Sequence, residues 1–430
     1  MSEGLDLWIV GAGPAGLGLA EACCARGLRV GLLDPEPEHS WVPNYGLWRD
    51  DAESLGVADF FGHRWERALV ELEAGPRLLD RGYGLLDGDA LQRAWLGRCR
   101  EAGARILAGR LAAIEHDDEG AALRLESGEL ERAKLVVDAT GHGSPFVALE
   151  DGPAPGYQVA WGELWAIDAL PEAFAGGRTM GFMDWRAVTD EAHEAGEDAL
   201  PPTFLYALPV AEDRLFVEET VLVARPPQGR RPGDWLEPLE DRLRRRLAQQ
   251  GVDQALRGGA PLAVERCVIP MGGPLPRGDQ LTLAFGGAAA MVHPATGYML
   301  TAALRRRAPV AERIAEEVGA WAGPGAPSQR IWRSIWPDER VRAWRLYTFG
   351  MDVLARLDRP GIDRFFAEFF ALGDERWREF VSASASTPAL MGTMLRYFSA
   401  APWSIQRRLG AALVGSEGRR LLAGFRGLRG

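Results

Sequence analysis

Hydrophobic positions at the start of the chain form an apolar run, then a helical stretch, then a second apolar run. Residues 6–10 (DLWIV) predict a short buried strand. Residues 11–27 (GAGPAGLGLAEACCARG) predict a glycine turn entering a helix that stops at Gly27, and residues 28–34 (LRVGLLD) a second strand. The chain therefore opens on a βαβ unit. Residues 43–51 (PNYGLWRDD) are irregular, whereas 87–103 (DGDALQRAWLGRCREAG) regain helical periodicity behind Asp87 as cap, and 135–141 (LVVDATG) form another strand. Between about 156 and 225 the period shortens to two, and GYQVAWGELW, TMGFMDW, TFLYALPV and RLFVEETVLV predict an antiparallel sheet. A charged helix over 234–250 is expected on the edge of that sheet, and from about 304 the chain is mostly helical. Four segments follow: 1–155 and 261–305 as two parts of a nucleotide-binding domain, 156–260 as a sheet domain inserted between them, and 306–430 as a helical C-terminal region.

The opening turn matches G-x-G-x-x-G at Gly11, Gly13 and Gly16, with Asp34 at the end of the second strand. In such a unit the first glycine makes the tight turn, the second lets a pyrophosphate approach the backbone, and the third lets helix and strand pack closely. The acid accepts a bond from a ribose hydroxyl. Asp138, Thr140 and Gly141 end a strand at the carboxyl edge of the same sheet, where doubly wound folds bind ligands. Residues 281–304 contain no Asp, Glu, Lys or Arg, but Gly286, Gly287, Pro294 and Gly297 interrupt them and His293 lies within, so they read as a buried loop and helix and not a membrane span.

Composition narrows the function classes. A chain of 430 residues with 47% hydrophobic and 25% charged residues is globular and long enough for two or three domains. Its net charge of −11 argues against a nucleic-acid partner. Lys134 is the single lysine, a feature of genome composition. Cys23, Cys24, Cys99 and Cys267 lack metal or disulfide spacing and the six histidines are scattered, so reduced thiols, a cytoplasmic setting and no metal are expected. The N-terminus MSEGLD has no basic region of a signal peptide. Arg407, Arg408, Arg419, Arg420, Arg426 and Arg429 among leucines suit either a membrane-surface face or a solvated terminal helix.

FVEET, residues 216–220, is the chemical anomaly: two carboxylates on an otherwise apolar strand. Side chains alternate on a strand, so Glu218 shares a face with Phe216, Thr220 and Leu222, and Glu219 with Leu215, Val217, Val221 and Val223. At most one can face a substrate; the other is expected to meet an arginine or backbone donors behind the sheet.

Taken together, WVPNYGLW (41–48), GYQVAWG (156–162), FMDWR (182–186), PTFLYALPV (202–210), FVEET, VIPMGGPLP (268–276), MVHPATGYM (291–299) and FFAEFFAL (365–372) resemble the flavin-dependent lycopene cyclases of the plant and cyanobacterial type. The resemblance implies an α/β fold with a Rossmann-type FAD-binding domain, an inserted antiparallel β-sheet substrate domain and a helical C-terminal region. It further implies reduced FAD, NAD(P)H as electron donor, a lycopene or related carotene substrate, peripheral contact with a membrane, and redox-neutral closure of β-ionone rings. Within FVEET, Val217 replaces the family's commoner leucine, and Gly287 stands where flavin hydroxylases carry an aspartate. The resemblance assigns the essential role to Glu218, with Glu219 as the second candidate catalytic residue. It places His293, Pro294, Thr296 and Gly297 at the flavin together with Gly286 and Gly287; Trp185 and Arg186 fall at the substrate sheet or in its packing.

Ring closure needs a proton at C2 of the linear end, attack on the resulting cation at C1, and loss of a proton from C6. A free glutamate with pKa ~4.3 is only about 0.2% protonated at pH 7, so an acid role for Glu218 requires burial that raises its pKa. Two other functions remain open from sequence: a flavin-dependent prenyl reductase or hydroxylase, and a non-catalytic isoprenoid escort. Substrate, number of rings closed, nicotinamide preference and oligomeric state are not legible.

Overall fold

A computed structural model describes residues 4–188, 200–257 and 259–426. His193 and Arg429 lie outside the described residues, as does the side chain of Arg426. The first sheet places four parallel strands in the order Arg105–Ala108, Val30–Asp34, Leu5–Val10, Leu130–Asp138, with the short Leu283–Ala284 parallel to the last. Parallel strands covered on both faces read as continuous apolar runs, and Leu7 to Val10 are all buried. Helices Pro14–Cys24, Gly88–Glu101 and Leu300–Gly319 cover one face. On the other, Trp8, Val10 and Val136 pack with Ala121 and Leu123 of an antiparallel extension. Asp87 caps its helix as expected, accepting from the Ala90 N–H at 2.8 Å.

The second sheet runs Ala263–Met271, Gly156–Ala166, Arg214–Ala224, Thr203–Ala211, Thr179–Asp184, Arg67–Leu72, Gly75–Leu79. All its pairs are antiparallel except Thr179–Asp184 with Arg67–Leu72. The expected insert of 156–260 is thus too narrow. Two strands come from the first segment, and the edge strand Ala263–Met271 lies beyond 260. The segment boundary fails because strands such as Gly75–Leu79 are short and half exposed, leaving a weak apolar rhythm. A third, small sheet joins Gly46–Trp48, Tyr83–Leu86 and Phe61–Trp65.

Helix Leu236–Gln249 lies across the back of the second sheet, not on its edge. Leu239, Leu243 and Leu247 pack on Val159, Val217 and Val221. The front face is covered by the C-terminal helices, with Phe182, Phe204 and Phe216 in one core with Phe349, Phe366 and Phe370. Trp185 is a packing residue there, 4.8 Å from Phe204 and 5.2 Å from Phe366 between ring centroids. Asp51 joins the layers, pairing with Arg81 and Arg305 and accepting from Ser382 Oγ. Among the described residues no helix is long and apolar enough to cross a membrane.

Alternation along Arg214–Ala224 holds up to Leu222. There the register slips by one residue against Gly156–Ala166, so Val223 joins the front core with Leu222 and not the back with Glu219. Glu219 faces the back, fully buried, where Arg246 donates to it from Nε and Nη2 at 2.7 Å each. Removing one partner strands a buried charge. Glu219→Ala should therefore cost roughly 3–5 kcal/mol in urea unfolding, with much of the loss recovered when Arg246→Met accompanies Glu219→Leu; equal losses in the single and paired variants would contradict this.

Candidate active site

A cavity of about 800 Å³ runs between the two sheets. At one end Gly11, Gly13, Asp34, Thr140, Gly141 and Gly287 line it, and at the other Tyr206, Phe216, Glu218, Glu265 and Cys267. Thr296, Gly297 and Tyr298 line the cavity as well.

The first end has the form of a dinucleotide cradle. Gly11 has φ +107, and a Cβ there would lie 2.5 Å from the Ala139 carbonyl oxygen. A Cβ on Gly16 would collide with the Gly11 carbonyl, while Gly13 has open space above it. Helix Pro14–Cys24 starts at Gly13 with no side-chain cap and no acid in its first turn, and so does Leu300–Gly319 after Met299. Both N-termini border the cavity, so their free N–H groups and dipoles favour an anion. Asp34 is fixed by the N–H groups of Ala12 and Glu36, each at 2.8 Å. These features fit an adenine dinucleotide: glycine clearance and helix N-termini for its phosphates, an anchored carboxylate for its ribose.

Other residues expected at the cofactor stand one layer behind. Asp138 is fully buried and binds its own turn, accepting from Thr140 N at 2.9 Å and Oγ1 at 2.7 Å, and from Ser144 Oγ. Gly286 packs on Ala15. His293 and Pro294 do not line the cavity. His293 Nδ1 accepts from Ala295 N at 3.2 Å, and its ring lies 4.3 Å from Tyr347. Burial, then the Arg305 charge, pushes its pKa down to about 3, so it is a neutral imidazole and an unsuitable proton acceptor at neutral pH. Glu219 is likewise absent from the cavity and so does not act on a substrate held there.

At the second end, one row across four strands reads Tyr206, Glu218, Gly162, Glu265. Gly162 sits where a side chain would separate the two carboxylates: a Cβ there would be 2.5 Å from Phe216 Cζ and 3.4 Å from Glu218 Oε2. Carboxylate oxygens of Glu218 and Glu265 and Cys267 Sγ consequently lie within 4.8 Å of one another. Asn44 holds Glu265, donating from its backbone N–H at 3.0 Å and from its amide. Thr220 Oγ1 donates to Glu218 Oε1 at 3.0 Å. The unpacked part of Glu218 opens onto the cavity. Desolvation above all, then the charge of Glu265, raises its pKa to about 8 against the opposing bond from Thr220. The carboxyl is therefore mostly protonated at pH 7, as an acid role demands.

Aromatic groups close this end. Tyr83 OH donates to Tyr298 OH at 3.2 Å. Burial first keeps Tyr83, Tyr206 and Tyr298 as neutral phenols, with Tyr298 pushed up to about 12. None of Tyr83, Tyr206, Tyr298, Gly162, Asn44, Glu265 or Cys267 stands out in the sequence as a site residue. Gly162 in mid-strand was a usable signal, as was the period of two that carries Glu265 and Cys267 to one face.

A raised carboxyl leaves a thermodynamic trace. Between the ordinary value of 4.5 and about 8 the folded protein keeps a proton that the unfolded chain gives up, so wild-type stability falls as pH rises through that window. Glu218→Gln lacks this penalty, and its Tm advantage over wild type should widen from pH 5 to pH 8. A constant difference would show that Glu218 titrates normally.

The family model described as "Lycopene cyclase protein" matches residues 6–407. A lycopene beta cyclase of Synechococcus elongatus is 36% identical over 418 residues, covering 95% of this chain and 97% of that one. A neoxanthin synthase of Solanum lycopersicum is 35% identical over 390 residues, 90% of this chain and 76% of that one. Among solved structures, a geranylgeranyl bacteriochlorophyll reductase-like protein of Thermoplasma acidophilum aligns with TM-score 0.67 at 15% identity, covering 95% of this chain and 99% of that one. A halogenase, PltM, solved as a complex with FAD, aligns with TM-score 0.62 at 12% identity, covering 98% and 94%. The structural likenesses establish the fold, and the extent of the family match together with the 36% identity over nearly both full lengths places this chain in the lycopene cyclase family.

Proposed function

We propose that this chain is a lycopene beta-cyclase that converts acyclic carotene ends to β-ionone rings without net oxidation, in carotenoid biosynthesis. The observation that carries the reading is Glu218: a carboxyl held protonated at the apolar, aromatic end of a cavity whose other end is a dinucleotide cradle. Glu218 donates its proton to C2 of the linear end. Phe216, Tyr206 and Tyr298 line the space where the resulting cation forms, each ring face worth ~0.5–2 kcal/mol to a nearby cation. Loss of the C6 proton then restores neutrality in the hydrocarbon.

FAD is the dinucleotide that this reading places in the cradle, with its phosphates at Gly13 and the two helix N-termini and its ribose at Asp34. Bound and reduced, it would supply an electron-rich, negatively charged ring able to offset the positive charge of the carbocation. NAD(P)H is the donor that keeps it reduced. With a single G-x-G-x-x-G in the chain, the nicotinamide docks without a Rossmann domain of its own or acts through a reductase. Peripheral membrane contact falls to the terminal helices Trp403–Val414 and Ser416–Arg426, where Trp403 is 74% and Val414 79% exposed beside the exposed Arg407, Arg408 and Arg419. A hydrocarbon substrate has no route through water, and such a face gives it one on the cytoplasmic side.

The test is anaerobic incubation of purified protein and FAD with lycopene in liposomes, reduced by NADPH or by dithionite, followed by chromatography of the pigments. Expected is γ- or β-carotene at unchanged mass with donor needed only catalytically. Glu218→Ala should keep FAD and lose roughly 10²–10⁴-fold in rate. Donor consumed in proportion to product would point to a reductase, and a fully active Glu218→Ala variant would overturn the assignment.

A further inference from the structure

Nothing in the proposed reaction requires a second carboxyl beside Glu218, yet the sheet is built to bring one there. Glu265 reaches across the gap left by Gly162 from the edge strand Ala263–Met271. Asn44, in the loop before the small sheet, donates to both of its oxygens, the environment of a carboxylate. Glu218 has the opposite environment. Its Oε1 takes one hydroxyl bond from Thr220, its Oε2 faces the Gly162 gap, and the rest of its surface meets the cavity. The groups that act electrostatically with Glu218 are Glu265 and Cys267 from the edge strand, Tyr206 from the neighbouring strand and Tyr83 from the small sheet, with Thr220 on its own strand. No cation is among them in the described residues.

Resting on the cyclase reading, we propose that Glu265, pinned by Asn44, is a positioning residue that keeps the catalytic proton on Glu218, so that the two carboxyls enter and leave each ring closure with one proton between them. In the first step the Glu218 O–H bond breaks and a C2–H bond forms, leaving two carboxylates beside the carbocation. The C1–C6 bond then forms, the C6–H bond breaks, and that proton returns to Glu218. The pair passes from one negative charge to two and back, and the second charge is present only while the cation exists. Like charges at this separation cannot both be ionised cheaply, so Glu265 makes Glu218 a stronger base after donation and holds it protonated before. Gly162 gives the two groups access to each other, and any larger residue would part them.

The test is infrared titration of full-length protein with FAD bound and no substrate, following the carbonyl band of a protonated carboxyl. The band should be missing in Glu218→Gln, which assigns it. Its midpoint should fall by roughly one pH unit or more in Glu265→Gln and stay near the wild-type value in Glu265→Asp. Asn44→Ala, which leaves the charge in place but unpinned, should move it by a smaller amount. In the cyclisation assay the alkaline limb of kcat against pH should move with the band. An unchanged midpoint in both Glu265→Gln and Asn44→Ala overturns the proposal, as does a stoichiometric divalent metal in purified protein that chelator and Glu265→Gln both remove, which would make Glu218, Glu265 and Cys267 a ligand set. The band is read without substrate, so a wild-type protein that shows the shift but leaves lycopene unchanged retains the pair and loses only the substrate reading.

Discussion

Desolvation of one carboxyl is the constraint on which the rest of the site depends. Glu218 lies in a cavity walled by Phe216, Tyr206 and Tyr298, with no arginine among the described residues acting on it and a second carboxylate within reach across Gly162. Its neighbour Glu219, one residue along the same strand, has the contrary treatment: two bonds from Arg246 in a closed core. Adjacent side chains of identical chemistry thus acquire different surroundings because the strand turns them to opposite faces. One is neutralised by an ion pair and holds a helix to the sheet. The other is left to keep its proton.

The architecture serves that arrangement. The parallel sheet offers two uncapped helix N-termini and three glycines with distinct duties: Gly11 and Gly16 for close approach, Gly13 for clearance. Across the cavity, the antiparallel sheet offers a row in which a missing side chain is as important as those present. The helical C-terminal region covers the front of that sheet, its phenylalanines in one core with Phe182, Phe204 and Phe216, while Phe216, Tyr206 and Tyr298 wall the end of the cavity where burial raises the cost of ionising Glu218.

Much of this was legible in the sequence, and the parts that were not share a cause. The βαβ unit, the Asp87 cap and the opposite faces of Glu218 and Glu219 follow from local periodicity, and the structure has them. The flip of Val223 was not legible, because it comes from a register slip between strands far apart in the chain. Phe61–Trp65 and Gly75–Leu79 were missed because half-exposed strands carry little apolar rhythm. Glu265 and Asn44 meet over 221 residues of chain, and a pairing of that separation leaves no local mark. His293 and Asp138 stand out by motif, yet they support the cavity from behind; a motif marks a segment, and only packing decides which of its atoms face a ligand.

On the proposed mechanism a protonated carboxyl starts the reaction and a proton leaves at its end, with no hydride entering the product. Cyclisation of lycopene in D₂O, analysed by mass spectrometry of the carotene formed, tests this most directly. In protein equilibrated with D₂O, where Glu218 exchanges its returned proton with solvent between ring closures, each new ring should carry one deuterium, located at C2, whether NADPH or dithionite reduces the flavin. Rings without solvent deuterium, or with deuterium delivered from labelled nicotinamide, would contradict proton transfer from Glu218 and point to a reductase that delivers hydride.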